Sequence, residues 1–137
     1  MYMILLCLFI ATLLPILAKA PLALAQVRDG GYDNHHPRSQ QARLTGFGAR
    51  AKAGHENAFE ALVLFTPGAL GVIATDAVSM FTETLAVGFV LARVAYHICY
   101  LLDWDKLRSL VWATGFICSL LLMWEAVSLV ALPDSGG

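Results

Sequence analysis

Arg50, His55, Asn57 and Glu60 stand near the start of one long apolar segment, and Arg93, Tyr96, His97 and Tyr100 near the end of the next. A charged side chain at hydrocarbon depth costs about 2.5–3.5 kcal/mol on insertion scales, so ionisable residues retained there mark a site or a water path. With a turn of about 100° per residue, Arg50, Asn57 and Glu60 fall on one side of a helix, whereas His55 points elsewhere. Arg93, Tyr96, His97 and Tyr100 share a face by the same arithmetic. Arginine clamps a carboxylate through paired N–H bonds, a glutamate accepts an ammonium, and an asparagine amide both donates and accepts. Such a set suits a small zwitterion that carries carboxylates, an amine and an acidic group. A buried Arg93–Glu60 ion pair that only holds helices in register is the simpler alternative. It leaves the second arginine, the amide, the phenols and the histidine without a role.

These residues need helices to position them. The chain has 137 residues, of which 58% are hydrophobic and 14% charged. The apolar residues fall in four blocks long enough to span a bilayer: Met3 to Ala25, Ala51 to Thr75, Ala77 to Leu102 and Leu107 to Leu132. The expected fold class is an all-α membrane protein, a four-transmembrane-helix bundle running up-down-up-down, with one membrane domain over residues 1–137. Connections around Asp76 and from Asp103 to Lys106 are short, so successive spans pair antiparallel. Both polar stripes then lie roughly 10–15 Å from the same end. Thr66-Pro67-Gly68 predicts a kink in the second span, and Gly68 and Gly71 predict close approach of a neighbouring helix.

Charge placement orients the bundle. Arg28, Arg38, Arg43, Arg50 and Lys52 lie between or at the ends of the first two spans, and Lys106 and Arg108 between the last two. The N-terminus, the Asp76 turn and the C-terminal tail have no Lys or Arg, so the positive-inside rule places both basic loops in the cytoplasm and both termini outside. The polar stretch Gln26 to Gly48, rich in turn residues, is the longer cytoplasmic loop. A net charge of −1 says nothing about nucleic acid, and none is expected as a partner. Cys7, Cys99 and Cys118 lie inside apolar spans and read as small buried hydrophobes. Ala23-Leu24-Ala25 resembles a signal-peptidase site, but the first segment lacks a basic n-region and exceeds a usual h-region, so it is expected to stay as a helix. His35, His36 and His55 lack the spacing of metal ligands, and no metal is expected. Glu83, Glu125 and the three tryptophans read as interfacial or packing residues.

The stretch Arg50-Ala-Lys-Ala-Gly-His55-Glu-Asn57-Ala-Phe-Glu60 resembles the second-helix signature of the MAPEG family, the membrane-associated proteins of eicosanoid and glutathione metabolism. Ala92-Arg93-Val-Ala-Tyr96-His97-Ile-Cys-Tyr100 is similar to its third-helix motif, Leu107-Arg108-Ser-Leu to the start of its fourth helix, and Tyr32 to Arg38 to a variant in bacterial members. The resemblance implies a homotrimer in the bacterial inner membrane, with glutathione as cosubstrate bound between subunits in the cytoplasmic half. Carried over residue by residue, Arg50, Asn57, Glu60, Arg93, Tyr96 and Tyr100 would hold glutathione, and His55 matches a histidine of the microsomal glutathione transferase branch. Arg108 looks like the arginine that faces the thiol, with Tyr100 as its catalytic companion.

Two departures matter. Ala53 stands where relatives that bind glutathione often carry an arginine, and the short turn from Asp103 to Lys106 leaves out the extension that carries the leukotriene-synthase arginine. The implied activity is conjugation of the glutathione thiolate to apolar electrophiles from the lipid, or peroxide reduction. A non-catalytic member that binds a lipid or partner is the main alternative. A small multidrug transporter is a further one, disfavoured because the first span has no carboxylate.

Overall fold

The structure, a computed structural model, describes residues 1–131 and contains five helices: α1 (Tyr2–Arg28), α2 (Pro37–Arg43), α3 (Phe47–Ala74), α4 (Met80–Leu101) and α5 (Asp105–Ala131). The four long helices are apolar and long enough to cross a membrane, with mean hydropathies of 2.4, 1.5, 1.5 and 1.8 over their best windows. The expected four-helix class is observed. Leu132, the expected end of the last span, lies outside the described residues.

Local chemistry sets the helix ends. Ser79 and Thr82 form a reciprocal capping box at the start of α4: the Ser79 hydroxyl accepts from the Thr82 N–H at 3.2 Å, and the Thr82 hydroxyl accepts from the Ser79 N–H at 2.9 Å. Between α4 and α5 the chain reverses in a turn where Asp103 takes a left-handed φ of 63°, a conformation that short polar residues tolerate best. α3 continues through Pro67 as one helix, the kink expected there producing no break in the helical run. Thr66 Oγ1 bonds the Leu62 carbonyl at 2.7 Å, one of the local bonds that side chains offer beside a proline.

The segment expected as a loop over residues 26–48 is more structured. α1 runs on to Arg28, α3 begins at Phe47, and Pro37 starts the short α2 from the first helical position, where its missing N–H costs nothing. A buried amide cluster ties α2 down. Gln26 Nε2 donates to Gln40 Oε1 at 3.1 Å, and Gln40 Nε2 donates to the carbonyls of Gln26 at 3.0 Å and Gly31 at 2.7 Å. Each buried polar atom thereby gains a partner, as burial requires.

The buried apolar cluster lies largely in the half of the bundle away from this segment. There Phe65 of α3 stacks on Phe89 of α4 with centroids 4.0 Å apart, among Ile4, Val72, Ala86 and Leu122. Lipid is as apolar as leucine, so helices in a membrane associate through close fit, and small residues permit it. Gly68 is such a contact. A Cβ there would stand 3.0 Å from the Leu122 Cβ and from the backbone of Ser119 and Met123 on α5. Gly71, one turn on, meets Ala126 at 3.2 Å in the same way.

Candidate functional site

In the other half, the half that carries α2 and the basic residues, polar side chains replace the close-packed core. Arg93 of α4 is 6% exposed and donates a hydrogen bond to Asn57 Oδ1 of α3. The Asn57 amide passes the interaction on, Nδ2 donating to Glu60 Oε2 at 2.9 Å. The cation and the carboxylate are joined through a neutral amide, and none of the ion pairs among the described residues includes Arg93. The simple Arg93–Glu60 ion pair is therefore not what is built.

Two arginine–tyrosine stacks stand one helical turn apart. The Arg93 guanidinium lies 4.2 Å from the Tyr96 ring centre and that of Arg108, from α5, lies 4.5 Å from the Tyr100 ring centre. The two tyrosine rings meet edge to face at 5.5 Å. Arg50 reaches toward the turn between α4 and α5, with its Nη1 3.8 Å from Asp103 Oδ2, and its Nε is buried with no hydrogen-bond partner.

The stripes expected from helical spacing are thus largely realised: Asn57, Glu60, Arg93 and Tyr96 form one cluster, Tyr100 and Arg108 extend it, and Arg50 sits at its edge. His55, grouped with the binding residues by its motif, is turned away. Its Nδ1 meets the Pro15 carbonyl of α1 at 2.9 Å, and a carbonyl only accepts, so Nδ1 carries the proton. His97 also leaves the stripe. Its ring packs over Gly54, where an added Cβ would stand 2.9 Å from the ring atoms, and its Nε2 is buried without a partner.

A small cavity of about 60 Å³ lies between α3, α4 and α5 at this cluster, lined by Asn57, Glu60 and Arg93 together with Trp112, Phe116 and Ser119. The α5 wall went unread in the sequence, although Trp112, Gly115, Phe116 and Ser119 follow the i, i+3, i+4, i+7 pattern of one helix face. Gly115 matters for space: an added Cβ would sit 3.4 Å from the Arg93 Cδ. A second cavity of about 380 Å³ lies on the other side of Arg93, between α1, α3 and α4, and its lining is almost wholly apolar.

Four apolar helices around a buried cationic cluster define an integral, multi-pass membrane protein. The model of the MAPEG family matches residues 3–128, and the chain belongs to that family. Comparisons with curated proteins and with solved structures give no match.

Proposed function

We propose that the protein is a glutathione-dependent transferase of the membrane, which joins the glutathione thiolate to apolar electrophiles delivered from the lipid. The observation that carries this reading is Arg93. A buried cation whose hydrogen-bond partner is a neutral amide is poorly compensated, and burying such a charge is expensive unless an anion joins it. A glutathione carboxylate is such an anion, and the unpartnered Arg50 Nε offers a further donor. Glu60 receives the ligand's ammonium, Asn57 spans both charges, and Tyr96 and Tyr100 wall the site. His55 fixes α3 against α1.

Glu60 is exposed on the surface of the single subunit at a depth where lipid would surround it. A carboxylate there is costly, and a neighbouring copy that covers it removes the cost. Assembly as a homotrimer, with the site at the subunit contact, follows from this reading together with the family. By the same reading the membrane is a bacterial inner membrane, with the basic end cytoplasmic and both termini outside.

Arg108 and Tyr100 are the catalytic pair. An unperturbed thiol with a pKa of about 8.5 is mostly protonated at neutral pH. Bringing it to about 6.5 requires roughly 2.7 kcal/mol of preferential stabilisation of the thiolate, within reach of one guanidinium and one phenolic hydrogen bond in a site shielded from water. The thiol proton leaves to solvent. The sulfur electron pair then forms a C–S bond, and a halide departs with the bonding pair of an aryl halide. A hydroperoxide instead consumes two thiols and yields alcohol, water and disulfide. The apolar cavity beside Arg93 supports a lipid-borne acceptor.

Titrating detergent-purified protein with glutathione by calorimetry, and following thiolate absorbance near 240 nm, tests the proposal. Micromolar to millimolar binding with a thiolate signal that Arg108→Ala abolishes is expected, and absence of binding refutes it. Ala53, which lies on the Arg50 stripe in place of the family's arginine, favours a second reading: a non-catalytic member that presents a lipid or partner. That reading predicts lipid binding with no glutathione isotherm.

A further inference from the structure

A cavity of about 460 Å³ lies between α2 and α3, apart from the Arg93 cluster, and Arg38, Gln41, Lys52, His55, Glu56 and Phe59 line it. It holds two cations and one carboxylate. Lys52 is already paired, its Nζ 2.7 Å from Glu56 Oε1, whereas none of the ion pairs among the described residues includes Arg38. The cavity therefore carries one uncompensated positive charge, and the Arg38 guanidinium presents the paired N–H donors that match two oxygens of a phosphate. Hydroxyl groups find acceptors here as well. The Glu56 carboxylate is one, and His55 Nε2 is another, because the Nδ1 proton of that ring is committed to the Pro15 carbonyl.

The two walls are built for different parts of one molecule. On the polar side, α2 is held by the Gln26–Gln40 amides, and Gln41 Nε2 adds a bond to Gln26 Oε1 at 3.3 Å. On the other side, Lys52, Glu56, Phe59 and Val63 of α3 follow at spacings of four, three and four residues, which is one face of a helix. Phe59 and Val63 are 47% and 69% exposed, so this face turns from charged to apolar along the axis. From Lys52 to Val63 the helix rises about 16 Å, half of a hydrocarbon core of roughly 30 Å and the reach of one acyl chain. The face is turned roughly 100° about α3 from Asn57 and Glu60, so a copy that seats on Glu60 approaches from a different side.

We infer that this groove binds one anionic phospholipid with a hydroxylated headgroup, of the phosphatidylglycerol type. Its phosphate lies on Arg38 and Lys52, its headgroup hydroxyls on Glu56 and His55, and an acyl chain along Phe59 and Val63. Basic pockets at the membrane surface take lipid headgroups in this way. A zwitterionic headgroup fits less well, because it leaves the positive charge of the cavity uncancelled and its ammonium competes with Lys52 for Glu56. The inference is independent of thiol transfer.

Native mass spectrometry of the full-length, delipidated protein, offered equal amounts of phosphatidylglycerol, phosphatidylethanolamine and phosphatidylcholine, tests the site. One phosphatidylglycerol per subunit is expected, preferred at least fivefold over the other two, and Arg38→Gln and Phe59→Ser should each lower its retention at least fivefold. Lys106→Gln, which removes a cation at the same end but outside the cavity, should leave retention unchanged. Equal retention of the three lipids, or equal losses in Lys106→Gln and Arg38→Gln, overturns the site in favour of diffuse surface charge. Displacement of the lipid by millimolar glycerol phosphate also overturns it, since a soluble phosphate would then suffice without the chain. Should Arg38→Gln disturb α2, Lys52→Gln on the opposite wall decides by the same fivefold loss.

Discussion

Asn57 carries more of the site than its neutral side chain advertises. Its oxygen takes a hydrogen bond from Arg93 and its nitrogen gives one to Glu60, so a single amide links a buried cation to a carboxylate that it does not touch directly. Asn57→Ala strands the Arg93 guanidinium, and we expect a loss of about 1.5–3 kcal/mol in stability, the range for a hydrogen bond to a charged group, read as a lower unfolding temperature in detergent. Asn57→Asp gives Arg93 an anionic partner but sets a second carboxylate against Glu60, and it should weaken glutathione at least tenfold. At the far edge, Asp33 accepts the backbone N–H groups of His36 at 2.9 Å and His35 at 3.0 Å, and the His36 bond chiefly holds its carboxyl below the ordinary carboxylate range. A folded pKa lowered in this way gives stability that is complete above the ordinary value of about 3.9 and is lost as pH falls through the lower folded value. Amide exchange of His35 and His36 should therefore accelerate only on acidification below about pH 4, after correction for intrinsic rates.

The elements hold this site by two different devices. α3 and α5 approach through Gly68, where an added Cβ meets backbone atoms that cannot swing aside. Gly68→Val should cost about 1–3 kcal/mol, as overpacking does, and should reduce the yield of folded protein in detergent. Gly54 differs, because its close neighbour is the His97 ring rather than backbone. Gly54→Ala should be rescued in part by His97→Ala, a coupling that a double-mutant cycle on unfolding temperature would read. The short α2 depends on the buried amides of Gln26 and Gln40. Gln40→Leu removes the donor to the Gln26 and Gly31 carbonyls and the acceptor of the Asp33 N–H, and proteolysis within residues 29–46 should become markedly faster while the four long helices persist.

At the scale of the whole molecule, the subunit places a polar cluster where two of its members, Asn57 and Glu60, lie toward the outer surface of α3, whereas Arg93 and Tyr96 are buried. Native mass spectrometry from detergent should give a trimer, and Glu60→Arg, which sets a cation where the partner copy would meet a carboxylate, should shift the population to smaller species. A trimer unaffected by that change would place the subunit contact elsewhere.

Much of this was legible along the chain, for reasons that depend on local geometry. Apolar blocks longer than about 20 residues have one stable outcome in a bilayer, because every backbone N–H and C=O must be satisfied within the segment, and a helix does that alone. Helical spacing likewise placed Asn57 beside Glu60, and Arg93 beside Tyr96, since both pairs lie three residues apart on one helix. Other features needed the fold. The pairing of Arg50 with Asp103, the turn of His55 to the Pro15 carbonyl, the diversion of His97 over Gly54 and the α5 wall all join residues far apart in sequence. Periodicity assigns a residue to a face, but which neighbour meets that face is settled by how the helices fit together. The chain alone therefore determined the spans, their alternation and the depth of the charges. Tertiary packing decided that Arg93 would meet an amide instead of a carboxylate, and that an apolar cavity would lie beside it.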